Sequence, residues 1–182
     1  MYSLQMIEFT DEVQQEEVPT DEESVQFTRR NLQKRLDRSL RMERGYPRGK
    51  AIFMVCCDAF VSGDPTHATK HMVTAINEMR EEGTAEEMAE AFEILGAVSE
   101  FRGDARAAVD WYNEALRFWQ ESGSPEGLAI IYGRMGALHY RIDDVPTADR
   151  YLSQALELEE TLSNPKRLAD AYRRMGMVRE RM

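Results

Sequence analysis

The sequence predicts an all-α fold: a right-handed α-solenoid of helix-turn-helix repeats, with an N-terminal cap helix and a C-terminal capping helix. Two periodic features predict this class. A skeleton of small and aromatic residues recurs every 40 positions, and residues that suit the starts of helices recur at the same spacing. At 182 residues, 42% of them hydrophobic, the chain can bury a continuous core.

The skeleton is clearest between Thr84 and Gly123. Small and large apolar residues are placed there at helical spacing, as closely packed helices require. In order they are Ala89, Phe92, Leu95, Gly96, Ala108, Trp111, Tyr112, Ala115 and Leu116. The same order returns 40 residues later, begins again at Ala169, and is weaker before residue 84. Because one helix pair cannot bury both of its faces, we expect such copies to stack.

Helix-capping residues repeat together with the skeleton. An N-cap side chain accepts hydrogen bonds from the unpaired N–H groups of the first turn, so Ser, Thr, Asn and Asp favour that position. First helices are predicted to start after Thr84, Ser124 and Asn164, and second helices after Asp64, Asp104 and Asp144. Tight turns inside the pairs are expected at Gly63, Gly103 and Asp143.

Charge divides the N-terminal part of the chain. Residues 1–28 contain eight acidic residues and no basic ones, whereas residues 29–50 contain nine basic and two acidic residues. We interpret residues 1–23 as an acidic flexible tail and residues 24–47 as a basic N-terminal helix. That helix could be a solvated surface, contact an acidic partner, or contact nucleic acid or lipid. The net charge of −10 disfavours nucleic acid as a partner.

The solenoid is predicted to span residues 48–182. Its helix pairs cover about 48–83, 84–123 and 124–163, and a single capping helix covers 164–182. No signal peptide or apolar run long enough to span a bilayer is recognisable. The only two cysteines, Cys56 and Cys57, are adjacent and so cannot staple a long loop. We therefore expect a cytoplasmic protein.

The skeleton resembles that of the tetratricopeptide repeat family. The match runs without a gap from Gly96 through Gly103 and Asp104 to Ala115 and Leu116. A 40-residue period is longer than that of the commonest repeats of the family, and it is similar to the repeats of kinesin light chains, rapsyn and spindle-orientation adaptors. The resemblance implies a non-enzymatic scaffold that holds a peptide or a helix in a concave groove.

The resemblance also implies which residues line that groove, because the first helix of each pair faces it. They are Lys50, Phe53, Cys57, Phe60 and Val61 from the first pair; Glu90, Glu93, Ala97, Glu100 and Phe101 from the second; Ile130, Gly133, Ala137, Tyr140 and Arg141 from the third; and Asp170, Arg173 and Met177 from the last helix. An extended or helical ligand with apolar anchors and basic residues suits this set.

One subgroup of the family grips the C-terminal carboxylate of its ligand with Lys and Asn side chains. The corresponding positions here hold Phe53, Cys57, Ile94 and Ile130, and only Arg134 is of a suitable type. The resemblance therefore implies that a carboxylate clamp is absent.

Other candidate sites are better explained by packing. His67 and His71 are spaced as two ligands of one metal could be, but no third ligand is near them in sequence. His139 lacks an obvious nucleophile or carboxylate partner, and Cys56 and Cys57 lie where a first helix packs. We therefore expect no catalytic residue, no metal site and no cofactor.

The aromatic residues of the second pair fall into two groups. Trp111, Tyr112 and Phe118 occupy packing positions of the repeat. Trp119 aligns with Met79 and Glu159, so it is the candidate for an exposed secondary contact.

Three functions remain open from the sequence, and the leading one is a non-catalytic protein–protein interaction scaffold or adaptor. A self-assembling structural protein is the first alternative, because the last helix would leave apolar residues partly uncovered. Those residues are Leu168, Tyr172, Met175 and Met182. A small chaperone that shields an apolar client segment is the second alternative.

Overall fold

The fold is built from α-helices joined by short turns. The computed structural model describes residues 22–63 and 65–182. Most of the acidic segment 1–23 and the expected cap Asp64 lie outside these residues. Every regular element in the part of the chain that the structure describes is a helix, which confirms the predicted all-α, solenoid class of fold.

The described residues form eight helices. They are α1 (Glu22–Leu40), α2 (Tyr46–Val61), α3 (Pro65–Met79), α4 (Ala85–Phe101), α5 (Ala105–Ser122), α6 (Pro125–Arg141), α7 (Val145–Leu162) and α8 (Pro165–Arg179). The chain divides into two compact units, Met1–Gly83 with α1 to α3 and Thr84–Met182 with α4 to α8. None of these helices is long and apolar enough to cross a membrane.

In the first unit, α1 packs on α2, and α2 pairs with α3. Gly49 makes the approach of α2 to α3 close, because a Cβ atom there would lie 2.7 Å from the carbonyl oxygen of Ala75. The end of α1 differs from our expectation. It ends at Leu40, before the sequence Gly45-Tyr46-Pro47, and Pro47 instead lies in the first turn of α2. Proline is tolerated there because its missing N–H would have no partner in the helix.

In the second unit, α4 pairs with α5, α6 pairs with α7, and α8 packs on α7. Two glycines 40 residues apart allow the two helices of each pair to pack closely. A Cβ atom at Gly96 would lie 2.4 Å from the ring of Tyr112, and one at Gly136 would lie 2.5 Å from Cγ of Leu152. Both partners are almost fully buried. The small residues of the skeleton therefore leave the volume that the large residues of the second helix fill.

The predicted helix starts of the second unit are confirmed. Each cap side chain accepts a hydrogen bond from the backbone N–H three residues later, and this holds for Thr84, Asp104, Ser124, Asp144 and Asn164. Thr84 forms a full capping box with Glu87, whose carboxylate accepts from the N–H of Thr84 at 3.1 Å. Local chemistry thus fixes where each helix of a pair begins.

The turns inside the pairs also follow the sequence. Gly103 has φ of +78° and Asp143 has φ of +68°, so both adopt the left-handed conformation. Aspartate is one of the few residues other than glycine that adopt this conformation, which costs roughly 1 kcal/mol of conformational energy. Asp143 therefore takes the structural role that Gly103 has one repeat earlier.

Candidate functional site

Most of the residues that we expected to line a groove lie on the first helices of the second unit. We call this set the first-helix face: Glu90, Glu93, Ala97, Glu100 and Phe101 of α4; Ile130, Gly133, Ala137, Tyr140 and Arg141 of α6; and Asp170, Arg173 and Met177 of α8. Equivalent positions lie 40 residues apart, as Ala97, Ala137 and Met177 do.

The middle of the first-helix face is built from small residues. Ala97, Gly133 and Ala137 are all partly exposed. A Cβ atom at Gly133 would have no atom within 4 Å, so open space lies above this turn of α6. The small residues therefore leave room for the side chain of a ligand.

Apolar side chains lie toward the ends of this face. Phe101 at the end of α4 is 68% exposed, and Met177 of α8 is also exposed. Tyr140 is partly buried, and the guanidinium of Arg181 lies over its ring at 4.8 Å from the centroid. An exposed phenylalanine is a suitable anchor for an apolar ligand, since covering it removes a large apolar area from water.

Glu93 was expected to face a ligand, but the structure places it in an internal network. Its side chain is only 4% exposed. One carboxylate oxygen accepts from Nε of Arg134 at 2.7 Å, and the other accepts from Nε1 of Trp119 at 3.2 Å. Glu93 therefore joins α4 to both α5 and α6, and its charge is balanced within the protein.

The same network corrects our expectation for Trp119. It is 4% exposed and is not a surface contact. Its ring lies directly on Gly127 of α6, where a Cβ atom would come within 2.1 Å of the ring. The packing roles expected for Trp111, Tyr112 and Phe118 are borne out: Tyr112 is buried, and the other two rings stack on Phe92 at 5.9 and 5.6 Å.

Glu100 is also held by neighbours within the protein. It accepts from the hydroxyl of Tyr112 at 2.7 Å, and a guanidinium nitrogen of Arg141 lies 2.6 Å from its other oxygen. Burial is the main reason why the pKa of Tyr112 lies well above its usual value, and the neighbouring Glu100 raises it further. The tyrosine therefore stays protonated and donates this hydrogen bond.

On α8, Asp170 accepts from both Arg173 and Arg174. Arg174 also donates to the carbonyl oxygen of Gly133 at 3.3 Å. This contact repeats that of Arg134 with Glu93 one repeat earlier, because Arg134 and Arg174 are 40 residues apart, as are Glu93 and Gly133. Where the repeat lacks the acidic side chain, the arginine binds the backbone instead.

Two of the residues predicted from the first pair are buried within the first unit. Phe53 is 8% exposed and Cys57 is 1% exposed, whereas Phe60 is partly exposed. Cys56 beside them is free and buried, and burial raises the pKa of its thiol to about 12. A thiol in that environment is held in its unreactive, protonated form.

His139 has a carboxylate partner that we did not anticipate. Its Nδ1 lies 3.1 Å from Oδ2 of Asp144, and its ring packs at a tilt on Tyr151. The sequence hides the pair because Asp144 was already assigned to the cap of α7, and its two oxygens serve both roles. In the described residues, no three side chains of His, Cys, Asp or Glu converge to hold a metal ion. The side chain of His67 lies outside the description.

Arg134 and Arg141 of α6 are the residues whose roles sequence reasoning missed. Each reaches back 41 positions, to Glu93 and Glu100 respectively. The available signal was their recurrence as Arg174 and Arg181 in the last helix segment. That recurrence marks a contact between successive first helices.

Comparison with known proteins identifies the repeat. A family profile for the tetratricopeptide repeat matches residues 87–161. Among solved structures, the chain is similar to the crystal structure of BtubC (BKLC) from P. vanneervenii, with a TM-score of 0.71 and 18% sequence identity. That match covers 86% of this chain and 66% of the other, so this chain spans about two thirds of that protein's length. No curated protein sequence matches significantly.

Proposed function

Residues 87–161 belong to the tetratricopeptide repeat family, and from this premise we propose that the protein is a non-catalytic scaffold that binds a protein partner. A peptide or helix of that partner would lie along the first-helix face of the second unit. The observation that carries this proposal is the open space beside Gly133, on a helix face where Ala97 and Ala137 are also partly exposed.

The ligand we propose has apolar anchors as its main feature. Exposed Phe101 and Met177 supply apolar contact surface, and the space at Gly133 receives a side chain. Basic residues in the ligand would meet Glu90, which is partly exposed on α4. Because Glu93 and Glu100 already have arginine partners, the attraction for a basic ligand is weaker than the sequence alone indicates.

The expected contact residues divide by exposure. Those that support the proposal belong to the second unit and are at least partly exposed: Glu90, Glu100, Phe101, Ile130, Tyr140, Arg141 and Arg173. Phe60 is also partly exposed, but it belongs to the first unit and is not part of the proposed surface. Buried Phe53, Cys57 and Glu93 would need to be uncovered before they could touch a ligand, so we leave them out of the proposed surface. A cytoplasmic location, consistent with two cysteines that form no disulfide, is part of the same proposal.

A displayed peptide library, selected against the immobilised full chain, supplies the ligands for a test. Selected peptides are then measured against Gly133→Leu, which places a side chain in the open space and whose Cβ atom would have no neighbour within 4 Å. Gly176→Leu is the matched control, because Gly176 also has open space beside it but belongs to a different face of α8. We expect affinity to fall about tenfold or more in Gly133→Leu only.

Two results would reject this proposal. One is a selection that enriches no peptide over an uncoated surface. The other is a set of enriched peptides that bind Gly133→Leu as well as they bind the original chain. Glu93→Lys is unsuitable for this test, because it would leave Arg134 and the Trp119 N–H without their acceptor and destabilise the fold.

A further inference from the structure

The first unit carries a row of basic side chains on the outer face of α1. Arg30, Lys34, Arg38 and Arg41 are all exposed. Their spacings of four, four and three residues place them within about 80° of the helix circumference. Arg41 lies one residue beyond α1, but its N–H donates to the carbonyl oxygen of Arg38 at 3.3 Å, so the backbone continues to turn there. We call these four residues the basic stripe.

The basic stripe lies opposite the face by which α1 packs on α2. On the packed face, Leu36 and Ser39 are buried and Leu32 is partly buried. Arg35, at the edge of that face, pairs with Asp58 of α2 at 2.6 Å. The packing of α1 within the first unit therefore turns the stripe toward solvent.

The charges of the basic stripe are not balanced by the residues that the structure describes. Within residues 22–63 and 65–182, none of the four side chains has a hydrogen bond or an ion pair. Asp37, the acidic residue nearest to them in sequence, instead accepts from Nε2 of Gln33 at 2.8 Å. Arg134 and Arg167 of the second unit differ in this respect, because each contacts a carboxylate.

The stability of α1 does not explain the basic stripe. Like charges four residues apart destabilise a helix, and Arg30 with Lys34 and Lys34 with Arg38 are two such pairs. Basic residues near the end of a helix interact favourably with its dipole, which accounts for Arg38 and Arg41. It does not account for Arg30 and Lys34, which lie farther from that end. A bound anion would remove the repulsion among all four.

The surroundings of the basic stripe favour a narrow anion. Asn31, Gln33 and Asp37, which lie on and beside it, are polar, so this part of α1 has no apolar side chain to insert into a lipid surface. The net charge of −10 opposes a large polyanion such as nucleic acid. An acidic stretch of polypeptide is narrow enough to contact the stripe alone.

The chain itself contains an acidic stretch next to α1. Residues 8–21 lie outside the described residues, and their sequence contains six acidic and no basic residues. Fourteen residues can span at most about 50 Å, whereas α1 rises only about 28 Å between Glu22 and Arg41. Direct attachment to α1 also gives this segment an effective concentration on the order of millimolar. An anion from outside would have to compete with it.

We propose that the basic stripe of α1 binds the acidic segment 8–21 of the same molecule. The contact relieves the repulsion along α1 and covers a surface that would otherwise attract other anions. The acidic residues farthest from α1 in sequence, such as Glu8, would pair with the far end of the stripe at Arg38 and Arg41. This contact is separate from the first-helix face and does not depend on the function proposed there.

The test uses the full chain with a nitroxide label attached to the variant Thr10→Cys. The natural cysteines, Cys56 and Cys57, are buried and do not compete for the label. In nuclear magnetic resonance spectra, we expect the label to broaden the amide signals of residues 38–41. These residues are informative because they lie at the end of α1 away from the point of attachment. The broadening should weaken as salt is raised, since screening reduces attraction between exposed charges.

Two triple variants of the labelled chain test the cause. Arg30→Gln/Lys34→Gln/Arg38→Gln should lose most of the broadening. The control Arg106→Gln/Lys166→Gln/Arg179→Gln changes the net charge equally at exposed positions of the second unit and should keep it. Circular dichroism checks that both variants remain helical.

Three results would overturn the proposal. The first is no broadening of residues 38–41 in the labelled original chain; titration of the unlabelled chain with single-stranded DNA or phosphatidylserine vesicles would then identify a different occupant. The second is equal broadening in the two triple variants. The third is broadening that arises only between molecules, seen when labelled chain is mixed with isotope-enriched unlabelled chain, because it would make a second copy the source of the acidic segment.

Discussion

Glu93 and Arg134 form an ion pair of 2.7 Å that joins α4 to α6 across 41 residues of sequence. The carboxylate is nearly buried, and the guanidinium is partly so. Arg134→Met should lower the free energy of unfolding by about 2–4 kcal/mol, because it leaves a buried carboxylate with Trp119 as its remaining donor. Urea unfolding followed by circular dichroism measures this loss.

The double variant Glu93→Gln/Arg134→Met tests the cause. It removes the buried charge together with its partner, so we expect it to be more stable than Arg134→Met alone. Arg106→Met, at an exposed position of α5, is the control for loss of an arginine. Equal losses in the single and double variants would show that the pair is not what stabilises this junction.

Two glycines in the same position of the repeat should respond in opposite ways to alanine. Gly136→Ala should lower the free energy of unfolding by about 1–3 kcal/mol, because its Cβ would lie 2.5 Å from Leu152. Gly176→Ala should raise it by roughly 0.5–1 kcal/mol, since alanine favours a helix and meets no atom there. Thermal and urea unfolding of both variants measure the signs. Destabilisation by Gly176→Ala would mean that other atoms occupy the space beside Gly176 in the free protein.

Tryptophan fluorescence tests the placement of Trp119, because the chain has only two tryptophans. Trp111→Phe leaves Trp119 alone, and its emission should be blue-shifted and resistant to acrylamide, as expected for a buried indole. Trp119→Phe leaves the partly exposed Trp111, whose emission should be quenched more readily. Equal quenching of the two variants would contradict the burial of Trp119.

The capping aspartate of α7 should make a pH-dependent contribution to stability. Its hydrogen bonds to Thr147, and then the contact with His139, hold the pKa of Asp144 below its usual value of 3.8. Its stabilising effect is therefore complete above that value and is lost as pH falls through the lower pKa of the folded state.

The variant Asp144→Asn isolates this contribution, because asparagine can still cap the helix but carries no charge. The difference in thermal midpoint between the original chain and the variant should be largest near neutral pH and should shrink below about pH 4. Asp110→Asn, at an exposed position of α5, is the control for removal of a carboxylate. A difference that grows as the pH falls would contradict the assigned direction of the shift.

The features that depend on local chemistry could be predicted from the sequence. Thr84 and Ser124 cap helices by accepting from backbone N–H groups three residues later. Gly103 adopts the left-handed backbone conformation in the turn between two helices. The close helix–helix contacts at Gly96 and Gly136 were also predictable, because small residues recur at fixed spacing when helices pack closely.

The features that depend on pairs of repeats were harder to predict. The sequence indicates only that Arg134 is basic, and it predicts a ligand contact for Glu93 because the face of one helix does not show which neighbouring helix covers it. The prediction that Trp119 is exposed is wrong because its burial depends on Gly127 in the next helix, which leaves space for the ring. In both cases the deciding residue lies in a different repeat from the residue whose role was predicted.

The position of Trp119 on Gly127 has a counterpart at the next junction that differs in chemistry. Forty residues later these positions hold Glu159 and Arg167, which form an ion pair of 2.6 Å where the ring and the glycine were. Both residues of the contacting pair thus change from one junction between repeats to the next. A protein engineer who exchanged or duplicated repeats would bring Trp119 against Arg167, or Glu159 against Gly127, and would join surfaces that do not fit. The linear order of the modules is therefore fixed by their junctions, and these repeats are not interchangeable parts.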